Sequence, residues 1–263
     1  MTGPGIGVVI QARMSSRRMP GKVLAPLAGE PALVRMLERV ALVRNVDGRV
    51  VATSTDSADD PVAEVCARHG LACVRGPLDD VLSRFLLAAP PEWEGVVRLT
   101  GDCPLVEPAL VERHVDLYLR ERPKAEYVTN AVVRTMPDGL DVEVVSRRLL
   151  EEADRNAVSE YDREHVTPWV RRRARALTIT QEVDLSALRW TLDTEHDYRM
   201  IAAVYDELHA ANPAFGSSEV YRLLLRRPEL INLSDADAPR GATRADWRAR
   251  IETHLATLQE ADS

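Results

Sequence analysis

The amino-acid sequence predicts an α/β fold, a doubly wound and mostly parallel sheet with an inserted subregion, and three observations carry that expectation. Short runs that are apolar almost throughout, such as Ile6 to Gln11 and Val96 to Thr100, recur over about the first 120 residues. Between them lie segments whose apolar residues repeat at helical spacing. A loop crowded with hydrogen-bond donors follows the first apolar run directly. Strands buried on both faces and alternating with amphipathic helices are what a parallel sheet covered on both sides requires.

Taken in order, Ile6 to Gln11 reads as the first strand, and Ala12 to Lys22, with Arg13, Arg17, Arg18, two serines, Pro20 and Gly21, reads as a loop. Pro31 suits a first helical turn, where its missing N–H costs nothing, and Leu33, Met36, Leu37, Val40 and Val43 then form a buried stripe. The pattern repeats as a strand over Arg49 to Thr53, a helix over Pro61 to His69, a strand over Leu71 to Arg75, a helix over Asp79 to Ala88 and a strand over Val96 to Thr100. Ligands of such sheets sit at the carboxyl ends of the strands.

Past Pro123 the rhythm changes. Ala125 to Thr129 is extended, Leu140 to Val145 alternates as a half-exposed strand, and helices are expected over Arg147 to Asn156 and Ser159 to Ala174. Leu177 to Thr180 and Arg189 to Leu192 read as late strands that complete the sheet, with helices over Glu195 to Ala211 and Ser218 to Leu225. In a polar tail, Ala242 to Gln259 sets Trp247, Ile251, Leu255 and Leu258 on one helical face. The expected organisation is a domain over residues 1–235, in which about 125–175 is the inserted subregion, and a helical extension over 236–263.

With 263 residues, 45% of them apolar, the chain can bury a substantial core. Lys and Arg number 34 against 41 Asp and Glu, so the net charge of −7 gives no general reason to expect a nucleic-acid partner. The one dense basic run, Arg171 to Arg173 with Arg175, has only Trp169 nearby and reads as a solvated helix face. Three cysteines match neither a disulfide framework nor a zinc site, and no leader or membrane-length apolar stretch is visible; a reducing cytoplasm is the expected location.

The first loop carries the chemistry. Gln11 to Lys22 offers successive backbone amides, the hydroxyls of Ser15 and Ser16, and four cations at the end of a strand. Amides in such a turn form an anion-binding concavity, and Arg13 and Lys22 can neutralise charge as a phosphate bond breaks. A solvated basic loop is the alternative. Two other phosphate loops fit worse: Gly21-Lys22 is followed by Val23 rather than Ser or Thr, and Gly5-Ile6-Gly7 precedes the strand and lacks a third glycine.

The run Gln11-Ala12-Arg13-Met14-Ser15-Ser16-Arg17-Arg18-Met19-Pro20-Gly21-Lys22-Val23-Leu24 resembles the signature of the cytidylyltransferases of spore coat polysaccharide biosynthesis, relatives of the octulosonate and acylneuraminate cytidylyltransferases. Further blocks resemble that family in order: Thr53-Ser54, Arg75-Gly76, Asp80-Val81-Leu82, Thr100-Gly101-Asp102-Cys103-Pro104, Asp138-Gly139-Leu140-Asp141-Val142-Glu143, Arg163-Glu164-His165 and Arg189-Trp190-Thr191-Leu192-Asp193. The likeness covers about residues 6 to 210, with Ser15 and Met19 as mild departures. It implies a Rossmann-like sheet of the nucleotide-diphospho-sugar transferase type, and CTP as the donor of a nucleoside monophosphate to a sugar-type acceptor.

Asp102 follows a strand behind a glycine, where a carboxylate can face the ligand crevice. Mg²⁺ takes one or two protein carboxylates and completes its shell with water and phosphates. The resemblance implies Asp193 as the second carboxylate. As alternatives, Asp102 reads as a turn carboxylate and Asp193 as a helix N-cap. Gln11, Ala12, Arg13, Ser15, Ser16 and Lys22 with Thr53, Ser54, Arg75, Gly76, Arg98 and Thr100 would by the resemblance bind the nucleotide, and Asn130, Asp138, Asp141, Glu143 and His165 the acceptor. Alternation sets Asp141 and Glu143 on one strand face. The resemblance also implies a homodimer through about residues 125–175. Two rival readings remain, a metal-dependent glycosyltransferase using a nucleotide sugar and a non-catalytic nucleotide-binding regulator. The first expects Asp-x-Asp at a strand end, and the chain has that triplet only as Asp235-Ala236-Asp237, in the polar tail.

Overall fold

The computed structural model describes residues 5–233 and 243–261. Strand β1 (Gly5–Gln11) leads into the donor-rich loop, a small hairpin of β2 (Pro26–Leu27) and β3 (Glu30–Pro31), and helix α1 (Ala32–Val40). Then come β4 (Gly48–Ser54), α2 (Asp60–Arg68), β5 (Cys73–Gly76), α3 (Val81–Ala88), β6 (Trp93–Thr100) and α4 (Pro108–Glu121). The middle region contributes β7 (Tyr127–Thr129), β8 (Glu143–Ser146), α5 (Arg147–Asn156), α6 (Glu160–His165), α7 (Pro168–Arg173) and β9 (Leu177–Thr178). Helices α8 (Glu195–Leu208), α9 (Ser217–Arg226) and α10 (Arg244–Ala261) follow.

Seven strands form one sheet in the order β5-β4-β1-β6-β8-β7-β9. The first four are parallel, β8 is antiparallel to both β6 and β7, and β9 is parallel to β7. The chain winds outward from β1 to β5 and then returns to place β6 on the other side of β1. The carboxyl ends of β1 and β6 therefore flank the point where winding reverses, the crevice in which such sheets hold ligands.

Period-two burial divides the core between the faces. Val8, Ile10, Val51 and Val97 pack with the apolar stripes of α1, α2 and α4, while Val9, Ala52 and Val96 pack with α3, α5 and α7. In α1 the residues Leu33, Met36, Leu37 and Val40 are all buried, each worth about 1.5–3 kcal/mol of transfer free energy. Helix α10 buries Trp247 and Ile251 in the cluster that also holds Val220 and Leu224 of α9. Gly5 and Gly7 lie within β1 rather than ahead of it, and a Cβ on Gly7 would fall 1.9 Å from the Trp93 ring. These glycines make room for a tryptophan.

Three expectations from the sequence are corrected. Residues 189–192 are not a strand of the sheet. Arg189 N–H donates to Asn232, Trp190 N–H to Asp138 and Leu192 N–H to Asp102, so the segment spends its hydrogen bonds on three separate partners, and β9 ends the sheet. The helix expected over 159–174 is broken at Val166 (φ 68°): α6 ends at His165 and α7 starts at Pro168, which has no N–H with which to continue the i→i−4 ladder. Strand β8 is buried throughout, not half-exposed, since it is paired on both edges and covered on both faces. The triplet Asp235-Ala236-Asp237 lies outside the described residues.

Candidate active site

The loop after β1 is tied down at both ends. Ala12 N–H donates to the Ala52 carbonyl at 3.1 Å, continuing the ladder, and Gly21 N–H returns to the Met14 carbonyl at 3.0 Å. Met14 N–H reaches Asp59 Oδ1 at 2.6 Å, and the Ser54 hydroxyl donates to the other oxygen of that buried carboxylate. Ser54 thus braces the loop through Asp59. Beyond the turn, Lys22 opens a short 3₁₀ turn anchored by buried Val23.

Lys22 Nζ lies 2.5 Å from Asp102 Oδ2 and 2.8 Å from Asp193 Oδ1. Asp102 sits in the turn after β6, and Asp193 just before α8. The second oxygen of Asp193 accepts from Arg18 Nη2 at 2.6 Å and Arg189 Nη2 at 3.2 Å. Asp193 is not the N-cap of α8; Thr194 is, in a capping box with Asp197. Burial works against the charge of Lys22, but the two carboxylates outweigh it and hold its pKa above the ordinary value. Burial likewise works against ionised Asp193, and Lys22 with Arg18 and Arg189 outweighs it, so this carboxyl stays below its usual range.

A second acidic pair adjoins the first. Arg134 Nη2 is 2.9 Å from both Asp138 Oδ1 and Asp141 Oδ2, and Arg189 Nη1 is 3.6 Å from Asp138 Oδ2. Arg189 therefore links this pair to Asp193. Burial pushes Asp138 above the carboxylate range, and pushes Asp141 up to about 6 against the pull of Arg134. Gly139 makes the connection possible. Its φ is 110°, and a Cβ there would stand 2.5 Å from the Trp190 carbonyl oxygen.

Gln11 and Thr100 are paired across β1 and β6 at their carboxyl ends. Arg98 Nη2 donates to Gln11 Oε1 at 3.1 Å and Arg98 Nη1 to Glu143 Oε1 at 2.7 Å. Glu143 is only 2% exposed and also accepts from Tyr127, from Thr167 at 3.1 Å and from Arg171 at 3.0 Å. It belongs to a buried ionic cluster, separate from Asp141. Arg171 is exposed with the rest of the basic run, as the sequence predicts, yet its guanidinium reaches a buried glutamate that the sequence does not show beneath it. Arg172 pairs with Asp162, and Arg173 stacks 5.6 Å from the Trp169 ring.

The other predicted residues are spread around this crevice. Arg13 pairs with Glu164 at 2.9 Å, Ser16 accepts from Met19 N–H at 3.3 Å, and Ser15 is exposed. Arg75 is engaged by the carbonyls of Ser54 and Asp56 and by Asp60, next to Gly76. Thr53 is fully buried. The Asn130 amide is spent on Leu140 and Val142 backbone groups, and exposed His165 stacks 4.5 Å from Tyr161. The sequence does not single out Arg18, Arg134, Arg189 or Glu164. Arg18 within the signature and Arg189 in the late block were the available signal; which carboxylate each meets was not.

A donor loop, two carboxylates from distant turns and one shared lysine thus stand at the reversal point of the sheet. A family model described as Cytidylyltransferase matches residues 7–212. The chain belongs to the cytidylyltransferase family. It is 33% identical to the spore coat polysaccharide biosynthesis protein SpsF of Bacillus subtilis over 240 residues, 87% of this chain and 98% of that protein. A cytidylyltransferase structure from Leptospira borgpetersenii superposes with a TM-score of 0.81 at 32% identity, covering 86% of this chain and 96% of that one. A 3-deoxy-manno-octulosonate cytidylyltransferase of Anaeromyxobacter dehalogenans is 43% identical over 110 residues, 41% of this chain and 44% of its own. Membership makes this chain a nucleotidyltransferase enzyme and sets aside the glycosyltransferase and regulator readings. No helix among the described residues is long and apolar enough to cross a membrane.

The residues fit a divalent ion. Among the described residues no three His, Cys, Asp or Glu side chains gather around one point. Two carboxylates that converge on a single cation are what Mg²⁺ needs when phosphates supply its remaining oxygens.

Proposed function

We propose that this enzyme transfers CMP from CTP to a sugar-acid acceptor in a Mg²⁺-dependent reaction that releases pyrophosphate. One observation carries the reading: Lys22, Asp102 and Asp193, from three separate loops, meet at the carboxyl edge of the sheet. The family name supports CTP, and the octulosonate relative supports a sugar acid.

In this reading Asp102 and Asp193 hold the metal, which when bound polarises phosphate oxygens and draws charge off the α-phosphorus. Lys22, Arg13 and Arg18 line the triphosphate, with the loop amides and the Ser15 and Ser16 hydroxyls. Gln11, Arg98 and Thr100 face the nucleoside end, with Thr53, Ser54, Arg75 and Gly76 shaping the floor. The acceptor lies against Asp138 and Asp141, whose carboxylates accept from sugar hydroxyls, while Arg134 and Arg189 suit an acid group; His165 lies at the rim. Asn130 and Glu143 act behind that surface as positioning residues. The acceptor hydroxyl gives up its proton to solvent and its oxygen bonds to the α-phosphorus as the bond to the pyrophosphate oxygen breaks, and rate comes from positioning and charge stabilisation.

The enzyme is further proposed to work as a homodimer in the cytoplasm, docking through residues 125–175. Val158 is 95% exposed there, with Tyr161 beside it in sequence. Light scattering tests the dimer. Incubation with each of four nucleoside triphosphates, Mg²⁺ and a panel of sugar acids, read as pyrophosphate release, tests the reaction. Release with CTP and at least one sugar acid is expected, and equal rates with all four triphosphates would overturn the donor assignment.

A further inference from the structure

Lys22 sits between the two carboxylates that would hold the metal. Its ammonium is 2.5 Å from one carboxylate and 2.8 Å from the other, at the point on which both converge. Mg²⁺ held by the same two groups needs oxygens at about 2.0–2.1 Å. Ammonium and metal therefore exclude each other. The lysine side chain is only 12% exposed, and the remaining Asp193 oxygen already carries Arg18 and Arg189. A metal arriving alone would meet three cations and would leave Lys22 without an acceptor in a confined space.

Resting on the nucleotidyl-transfer reading, we propose that Lys22 is the resident counter-ion of the metal site, exchanged for the metal only when a triphosphate arrives to receive it. A lysine suits this exchange. Its ammonium is a compact charge on a flexible stem, indifferent to the planar geometry that an arginine prefers, so a phosphate oxygen replaces a carboxylate oxygen without reorientation of the backbone. Metal and nucleotide then bind with positive coupling, and by linkage each strengthens the other by the same factor.

Manganese serves as the probe, with binding to the nucleotide-free protein read by electron paramagnetic resonance. Wild type is expected to bind Mn²⁺ weakly. Lys22→Met is expected to bind it at least about tenfold more tightly, within the usual range of site-to-site coupling. Lys22→Arg, which keeps a cation between the carboxylates, remains weak. In a separate arm without metal, Lys22→Met loses CTP affinity at least about tenfold relative to wild type. Should Lys22→Met fail to fold, Lys22→Gln carries the same two expectations. A folded neutral variant that binds Mn²⁺ no more tightly than wild type overturns the exchange. Absence of CTP binding by wild type in every condition overturns the nucleotidyl-transfer reading instead, and the manganese arm still returns its own answer.

Discussion

The backbone N–H of Leu192 donates to the carbonyl of Asp102 at 2.7 Å. With the Thr191 hydroxyl on the same carbonyl at 3.3 Å, this bond sets Asp193 beside Asp102, although the whole middle region from β7 to β9 separates them in the chain. If the pair holds the metal, either charge is indispensable while either shape is replaceable. Asp102→Asn and Asp193→Asn are each expected to lower kcat by at least about a hundredfold, the scale of losing a charge-stabilising group. Thermal melts are expected to fall more for Asp193→Asn, which takes the shared counter-charge from Lys22, Arg18 and Arg189, than for Asp102→Asn. Pyrophosphate assays alongside the melts check this, and a folded variant keeping a tenth of the activity removes its residue from the metal pair.

Gly139 controls how Asp138 meets the Trp190 segment. At φ 110° a side chain is strained, and its Cβ would press on the Trp190 carbonyl. Gly139→Ala is expected to cost about 1–3 kcal/mol of stability, as residues forced into sparse backbone regions do. Urea denaturation measures it. The acceptor KM is expected to rise as well, because Asp138 and Asp141 flank the displaced turn.

The parallel half of the fold is legible in the sequence because strands such as Val8 to Ile10 and Val96 to Leu99 are buried on both faces, so composition alone marks them. Helix α4 was not among the elements read from the sequence, although Leu110, Val111, Val115 and Tyr118 keep helical spacing. The segment 189–192 was not legible. Its apolar residues resemble a strand, but what distinguishes a strand is a ladder with one neighbour, and Arg189, Trp190 and Leu192 each bond a different loop. Glu143 shows a related limit: alternation says which side chains share a face, not how many strands and helices will cover it. The chemistry follows the same division. The cations of the first loop stand together in the chain, whereas the pairing of Asp193 with Arg18 and Arg189 depends on a fold-level approach that no local pattern encodes.

Glu143 is the hub of a buried cluster, and its carboxyl is held below the usual range. Burial opposes the charge, but Arg98 and Arg171, with a hydrogen bond from Tyr127, overcome it. Glu143→Gln leaves those two arginines without their shared counter-charge. Breaking a buried pair by removing one partner costs about 3–5 kcal/mol, and a loss at the lower end is expected here because Arg171 is partly exposed. Arg98 would also lose the anchor that directs it at Gln11. Calorimetric CTP titration is therefore expected to show weaker binding, and unchanged affinity in a folded Gln variant would separate Arg98 from the nucleotide.

His114 gives the fold an acid-sensitive point far from the chemistry. Its ring is fully buried on α4, Nδ1–H donates to the Leu110 carbonyl at 2.7 Å, and burial lowers its pKa to about 4. The folded pKa lies below the unfolded value near 6.5. Between these values the unfolded chain takes up a proton that the folded chain refuses, so stability falls as pH drops from about 6.5 toward about 4. At about 1.4 kcal/mol per pH unit, the full loss is about 3 kcal/mol. Carboxylates held low by ion pairs, such as Asp193 and Glu143, lose their contributions only at lower pH. Asp141, whose raised pKa makes it titrate in the opposite sense over part of this window, is common to both proteins, so urea unfolding at pH 7 and pH 4.5 is expected to show wild type losing more stability than His114→Leu by most of this amount. Equal pH dependence in the two proteins would place the acid sensitivity elsewhere.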